Sequence, residues 1–582
     1  MRRAGFALAL VLAVLGATPA RADLHTDCAN WRNAHPNGDA ELPTVCLAEK
    51  DSDTIPLFEG LGATKRELYR DDRDVQNYFN QGLRFYYAFN FREAYRAFRK
   101  AAALAELTKT RCGYCYWGIA ASLSVRPGEF LTPEPDRQEA RRALTEADKI
   151  FDPNKQKQAT GLVGALLVRT ENCNNGENCY SKRVSDYHGF MRQFWSNNNH
   201  DAEITCLYMD AILGNPRGDR LAEGRAAIKL AMDAPFNETH TGLWYWYLHL
   251  MEASNMPGPA EAAADQRGGM APNAGHMVHM PSHIYLLLGK PEKAVISDDK
   301  AMKADDRYFA DPNNKLVHPD GDRYRYDSYP HVLQSLMWAA LMRGQKDVVE
   351  IAAARLLDTQ PKTAGSYRQD YYRAMYYLGR FPLLQSGDVF LFPKPGDKQP
   401  LATVAYRYVR LRATLWSGVE WKDDLAEFDA AVNAYPNKDQ CPDKLKVFHT
   451  EPCLVDIMSH LAHAQVAAQQ KNWRDAIREG ETAAAIQTRM PDGLPGSWVL
   501  PVKQTLASFY LRAEEGAPPP LYLKKAEELL NESLQTRPGN GWAYFGLMEA
   551  AKLSGQVDKW RAAEKVFRAH WATNLDPRLD HM

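Results

Sequence analysis

The residues Tyr78, Gly82, Phe85, Ala94, Phe98 and Ala101 constrain the fold of this chain more than any other feature of its sequence. Small and aromatic side chains alternate there three or four positions apart, which puts both kinds on one face of a helix. The wider gap between Phe85 and Ala94 leaves room for a turn. Two amphipathic helices result, close together at glycine and alanine and wedged apart by the rings. Such a pair cannot bury its apolar face alone, so further pairs must stack on it.

Further copies of the pattern are present. Near the far end Ala526, Leu530 and Pro538 close one unit, and Trp542 and Gly546 open the next. Ser282, Tyr285, Ala294 and Ala301 form another, and Ala464, Ala467, Ala476 and Ala483 one more. These offsets are those of the tetratricopeptide (TPR) repeat. Helices are expected over 138–151, 156–170, 217–232, 329–357, 401–435 and 454–490, with little strand-like alternation anywhere. The expected fold is all-α, a TPR-like superhelix (α-solenoid) whose concave face is lined by the first helix of each pair. A stretch rich in proline and glycine, 387–399, is expected to link an N-terminal array (71–386) to a C-terminal one (400–582).

At the N-terminus, Arg2 and Arg3 precede an apolar run from Ala4 to Gly16 and the cleavage pattern Ala20-Arg21-Ala22, which reads as a secretory leader over 1–22. That run is too short to span a bilayer comfortably, and no later run reaches spanning length. A periplasmic or secreted protein without an integral membrane segment is therefore expected, with 23–70 as an irregular extension. The formal charge is −1, and it becomes more negative once the leader arginines are removed. This excludes a nucleic-acid partner on electrostatic grounds. Eight of the nine cysteines form close pairs, Cys28/Cys46, Cys112/Cys115, Cys173/Cys179 and Cys441/Cys453, leaving Cys206. Local disulfides are the expectation in an oxidising compartment. For Cys112 and Cys115 a structural bridge is expected, because no βαβ pattern surrounds them and Tyr116 stands where a c-type haem motif needs histidine.

The densest chemistry lies in Gly275-His276-Met277-Val278-His279-Met280-Pro281-Ser282-His283-Ile284-Tyr285. Proline suits the first position of a helix, so one reading leaves His276 and His279 in the loop before Pro281. In the other, the helix begins near Gly275 and is kinked at Pro281, and spacings of three, four and seven bring all three rings to one face. Upstream, His249 and Glu252 are three apart in an aromatic helical segment, and His331 opens another expected helix behind Pro330. His276, His279, His283, His249, Glu252 and His331 are thus candidate ligands for copper, zinc or iron, and Glu252 is also a candidate general base for a metal-bound water. Met251, Met270, Met277 and Met280 lean the choice towards copper, whereas the simpler reading has them filling core gaps. The simpler reading of the histidines is stacking between helices.

A second group, Cys441, His449, Cys453, His460 and His463, superficially resembles a zinc site. A Cys441–Cys453 disulfide would remove its thiolates. The sequence has no nucleophile elbow, zincin motif, P-loop or dinucleotide fingerprint in a convincing context. No catalytic residue is assigned, and whether the chain is an enzyme stays open.

The runs Leu61-Gly62, Gln81-Gly82-Leu83, Tyr87-Ala88-Phe89-Asn90 and Glu93-Ala94 resemble the opening of a group of exported bacterial TPR proteins. Cys115-Tyr116-Trp117-Gly118-Ile119-Ala120 is similar to that group's next helix, and Asn540-Gly541-Trp542 with Phe545-Gly546-Leu547 to its C-terminal motif. Gly275-His276, Val278-His279-Met280-Pro281 and His283-Ile284-Tyr285 match its most distinctive motif. The resemblance implies the fold and export, and no reaction. Val332 follows Tyr329-Pro330-His331 where the group has asparagine, so no amide is available there while His331 remains. Two functional expectations follow. One is an exported scaffold that binds a protein, peptide or small ligand on its concave face and carries an auxiliary metal site. The other is a metal-dependent enzyme or copper-handling protein using His276, His279 and His283.

Overall fold

The computed structural model describes residues 28–30, 33–34, 43, 45–46, 55–68 and 72–582, apart from 125–132, 172–176, 215, 235–236, 312–323, 360–366, 437–440, 442–449, 491–492, 495, 514–518 and 573–576. The leader 1–22, Cys173 and His449 lie outside the described residues. Among the described residues there is no strand, and the helices pack in consecutive pairs, as in a generic helical repeat. Two compact units result, Met1–Trp246 with Phe309–Tyr324, and Tyr247–Tyr308 with Arg325–Met582.

In the first unit the helix Arg73–Tyr87 packs on Phe91–Thr108. Each is started by a polar cap, since the Asp72 side chain accepts from the Val75 N–H and Asn90 from the Glu93 N–H. Phe98 is fully buried against both Gly82 and Gly118. A Cβ on either glycine would meet its ring at 2.6 or 2.4 Å, so the aromatic wedge requires both glycines. Residues 55–68 of the extension are irregular and are tied to the first helix by side chains. Gln81 accepts the Phe58 N–H at 2.7 Å and donates to the Pro56 carbonyl at 2.9 Å. The expected helices over 138–151, 156–170 and 217–232 run Glu134–Ile150, Lys157–Arg169 and Gly218–Met232.

In the second unit each of the expected helical segments 329–357, 401–435 and 454–490 is a helix pair, the last as its repeat unit Ala464, Ala467, Ala476 and Ala483 implies. Tyr329–Met342 turns into Lys346–Asp358 at Gly344 (φ +69°), and Pro400–Ser417 into Lys422–Ala434 at Gly418 (φ +67°). Glu451–Gln469 turns into Trp473–Arg489 at Lys471, a lysine at φ +60°. A left-handed residue reverses the chain in each case, which glycine does freely and lysine against its own Cβ. Within 387–399 the short helix Ser386–Phe390 ends, and Val389 and Phe392 are buried.

Cys28–Cys46, Cys112–Cys115 and Cys441–Cys453 are disulfides, and Cys179 is disulfide-bonded as well. Cys112 and Cys115 are only 1% and 0% exposed, which closes them to a redox partner and fits a structural bridge. Cys206 is a buried free thiol. Bridges of this kind persist in oxidising compartments. No helix among the described residues is long and apolar enough to cross a membrane.

Candidate metal centre

The histidine-rich stretch forms the helix Gly275–His279 and, after Met280, the helix Pro281–Leu287. Met280 keeps helical angles (φ −51°, ψ −36°), so the turn before Pro281 is a joint within one helical path. Of the two sequence readings, the one starting at Gly275 describes the chain, and His276, His279 and His283 share a face. Gly275 is required at the start. A Cβ there would lie 2.2 Å from a carboxylate oxygen of the buried Asp305.

Residues of the second unit from three further helices close around that face. Pro291–Ala310 brings Asp298, which is fully buried, and Ser297, whose hydroxyl donates to the Val278 carbonyl at 2.7 Å. Tyr329–Met342 brings half-buried His331 at its first turn, with Ser335 one turn on. Val332 joins Val278 and Ala301 in a buried apolar cluster, which ties three helices of the site together. From the Thr241–Ala253 helix come His249 and Glu252, both half-buried.

The polar geometry is a chain of carboxylates and rings. Asp298 Oδ1 is 2.6 Å from His279 Nδ1, and Glu252 Oε1 is 2.8 Å from His283 Nδ1. The remaining nitrogens of these two rings, His279 Nε2 and His283 Nε2, face each other at 2.8 Å. The His331 ring is 4.9 Å from that of His279 and 5.5 Å from that of His283. One nitrogen from each of His279, His283 and His331 lies within 4.8 Å of the other two, a group that can hold a metal ion.

Protons alone can satisfy this chain in more than one way. If Asp298 donates to His279 Nδ1, then His279 Nε2–H donates to His283 Nε2, and His283 Nδ1–H donates to Glu252. Moving the Asp298 proton away, so that both Nδ1 atoms carry hydrogen, leaves two Nε2 lone pairs pointing at each other. That arrangement needs a cation between them, either a proton, which makes His283 an imidazolium donating to both Glu252 and His279, or a metal ion. Zinc–nitrogen bonds of about 2.0–2.1 Å in a tetrahedral site would need the two nitrogens to open slightly.

The electrostatics agree. Burial, and then the imidazoles of His283, His331 and His276, hold His279 well below the ordinary histidine value, so the ring is neutral. Burial and the same kind of crowding lower His276. For His283 burial also acts downward, but the charge and hydrogen bond of Glu252 raise it. Burial pushes Asp298 up to about 7, against the hydroxyls of Ser335 and Ser282. Glu252 would be raised by burial, yet His283 and His249 overcome this and hold it far below the usual carboxylate range.

The sequence candidates thus fall into tiers. His279, His283 and His331 converge. Glu252 accepts from His283 and meets His249 Nδ1 at 3.2 Å, which places it behind the imidazoles. His249 is one ring further out, 6.2 Å from His283, and buried His276 lies 5.7 Å from His279 and 6.3 Å from His331. Met251 and Met280 are buried and Met270 and Met277 half-buried. Asp298 escaped the sequence reading, although a signal existed: it shares a helix face with the repeat positions Ala294 and Ala301, where an acid has no reason to be buried unless it has a partner.

The second histidine group does not assemble in this way. Cys441 and Cys453 are bridged, His460 Nδ1 meets Glu479 at 2.8 Å, and His463 Nδ1 donates to its own helix at Ser459. No family model matches the chain, and no curated protein matches it.

Proposed function

We propose that this chain is an exported TPR-type repeat protein that binds a transition-metal ion through His279, His283 and His331. One observation carries the reading: the 2.8 Å approach of two Nε2 atoms whose partner nitrogens are both occupied by carboxylates. Asp298 and Glu252 then fix ring orientation and basicity, as outer partners of ligating histidines commonly do. Three imidazoles suit zinc, copper or iron. Copper remains a lean, drawn only from the soft thioethers of the neighbouring methionines. Export rests on the leader reading and the disulfides.

Three protein ligands leave a coordination position for water or a small ligand, which is the arrangement of catalytic rather than closed structural sites. A metal held there would supply Lewis acidity or redox chemistry. His276 is the candidate for completing the set. This supports metal-dependent catalysis or metal handling ahead of a scaffold that presents a concave face to a protein or peptide, because the converging imidazoles are an observed group and the concave face is an expectation from the sequence.

The test is elemental analysis of protein from its native compartment, purified without chelator or histidine tag, beside a His279→Ala/His283→Ala variant. Near-stoichiometric copper, zinc or iron in the wild type, lost in the variant, is expected. A wild type that holds none of them, as isolated and again after incubation with each metal and desalting, would sink the proposal.

A further inference from the structure

In the second unit, the chain between the helices Tyr367–Arg380 and Pro400–Ser417 carries an apolar tip that the packing holds outward. Val389 and Phe392 are 0% and 5% exposed, whereas Phe390 and Leu391 between them are 37% and 83% exposed. The Phe392 ring sits 5.6 and 5.7 Å from those of Tyr376 and Tyr377. Beyond it the Tyr377 hydroxyl donates to the Pro393 carbonyl at 2.6 Å, and Arg373 Nη2 donates to the Lys394 carbonyl at 3.1 Å. The Gly396 N–H donates to Gln399 Oε1 at 2.9 Å and closes the segment. With anchors on both sides, Leu391 cannot turn inward to bury itself. One exposed leucine needs no explanation, but a neighbouring aromatic ring and leucine held out by fixed anchors do.

Cations beside the tip have no carboxylate partner. The Arg410 guanidinium carbon lies 5.1 Å from the centroid of the Phe390 ring and 5.6 Å from that of Tyr406. Its buried Nε has no hydrogen-bond partner, and among the described residues no carboxylate pairs with it. Lys394 and Lys398 follow the tip, both exposed and neither in an ion pair among the described residues. Of the acids in this segment, Asp388 is paired with Lys346 at 3.6 Å, and Asp397 is exposed between the two lysines. The tip is therefore apolar at its end and positive at its base. A leucine that projects this far needs a partner that admits a protruding side chain. The boundary of a lipid layer does so without a preshaped pocket, and it presents phosphate anions at the same depth.

We infer that Phe390 and Leu391 enter the headgroup boundary of an anionic lipid surface, with Arg410, Lys394 and Lys398 against its phosphates. The contact is peripheral and independent of the metal. The experiment is flotation of the full chain with vesicles of phosphatidylcholine, alone or mixed with about one-third phosphatidylglycerol, at about 0.1 M salt. The mixed vesicles are expected to bind at least about tenfold more tightly than the neutral ones, because the three cations act only there. Leu391→Asp should weaken that binding by about tenfold or more, and Arg410→Gln by about fivefold. Leu521→Asp, at a leucine 71% exposed in another helix of the unit, should leave it unchanged. If Arg410→Gln does not fold, Lys394→Gln with Lys398→Gln carries the charge test, with a fall of about tenfold or more. The inference is overturned by no flotation with the mixed vesicles, by equal flotation with the neutral ones, by unchanged binding of Leu391→Asp or of a folded charge variant, or by an equal loss in Leu521→Asp. It is also overturned if a soluble glutamate oligomer displaces the chain from the vesicles at equal negative charge, which would mark a protein-docking surface.

Discussion

Two buried groups in this chain use the same parts, histidine and carboxylate, to different ends. In the first unit His240 Nδ1 accepts the Leu243 N–H at 3.2 Å, and His240 Nε2 meets Glu203 at 3.2 Å. The other Glu203 oxygen takes Arg66 Nη1 at 2.8 Å, and Arg66 also reaches Asp201 at 3.1 Å. Each ring nitrogen there ends on a fixed protein partner of opposite role. In the second unit, His279 and His283 spend one nitrogen each on Asp298 and Glu252 and turn the other towards a second imidazole. Burial and a carboxylate partner are common to both groups. What separates a bracing histidine from a ligand is where its last nitrogen points.

The largest expected effect strikes the bracing group. Glu203→Ala leaves Arg66 and His240 buried beside a void and should cost about 3–5 kcal/mol of stability by denaturant unfolding, without changing metal content. A loss under about 1 kcal/mol would show that the first group is as loosely coupled as a surface pair.

Metal linkage should appear only in the second group. At a free metal concentration about 100 times Kd, binding should stabilise the wild type by about 2.7 kcal/mol, reversibly with chelator. His331→Ala should abolish most of that gain, and a variant stabilised as much as wild type would remove His331 from the ligand set.

Asp298→Asn tests the outer partner. It should lower metal affinity by about 10–100-fold in a competitive chelator titration, with a smaller fall for Glu252→Gln, whose carboxylate is half-buried where that of Asp298 is fully buried. Unchanged affinity in both would reduce the carboxylates to packing.

Acid should separate the two groups most gently. Burial would raise Glu203, but the hydrogen bond of His240 and the charge of Arg66 hold it down to about 2. A depressed carboxylate contributes stability that is complete above its unfolded value of about 4.3 and disappears as the pH falls through about 2. Protons compete with metal for imidazole nitrogen, and His283, raised above the ordinary histidine value of about 6.5 where His279 is lowered, carries that competition as the pH falls. Between pH 6 and 5 the wild type should therefore lose metal while its circular dichroism stays native. Simultaneous loss of both signals would mean the two groups are not independent.

The helices themselves were legible because their cause is local. Gly82, Phe98 and Gly118 declare a close helix approach by their spacing, and the approach is there. The reversals at Gly344 and Gly418 were not, and 329–357 and 401–435 read as unbroken segments, whereas the unit Ala464, Ala467, Ala476 and Ala483 implied the turn at Lys471. One left-handed residue ends a helix without disturbing the periodicity on either side. At the site, His279 and His283 were visible as i and i+4 neighbours. His331 was only a candidate at a distance, and Asp298 was not singled out.

By itself the sequence determined the helical periodicity, the close cysteine pairs that bridge, and the set of histidines that share one helix face. These depend on neighbours within about one or two turns, where backbone geometry fixes the relation between residues. Only the tertiary structure decided that Asp298 backs His279, that Glu252 backs His283 and that His331 arrives from another helix. Those relations depend on how helices pack and on which rotamer each ring adopts. Neither is set by spacing along the chain.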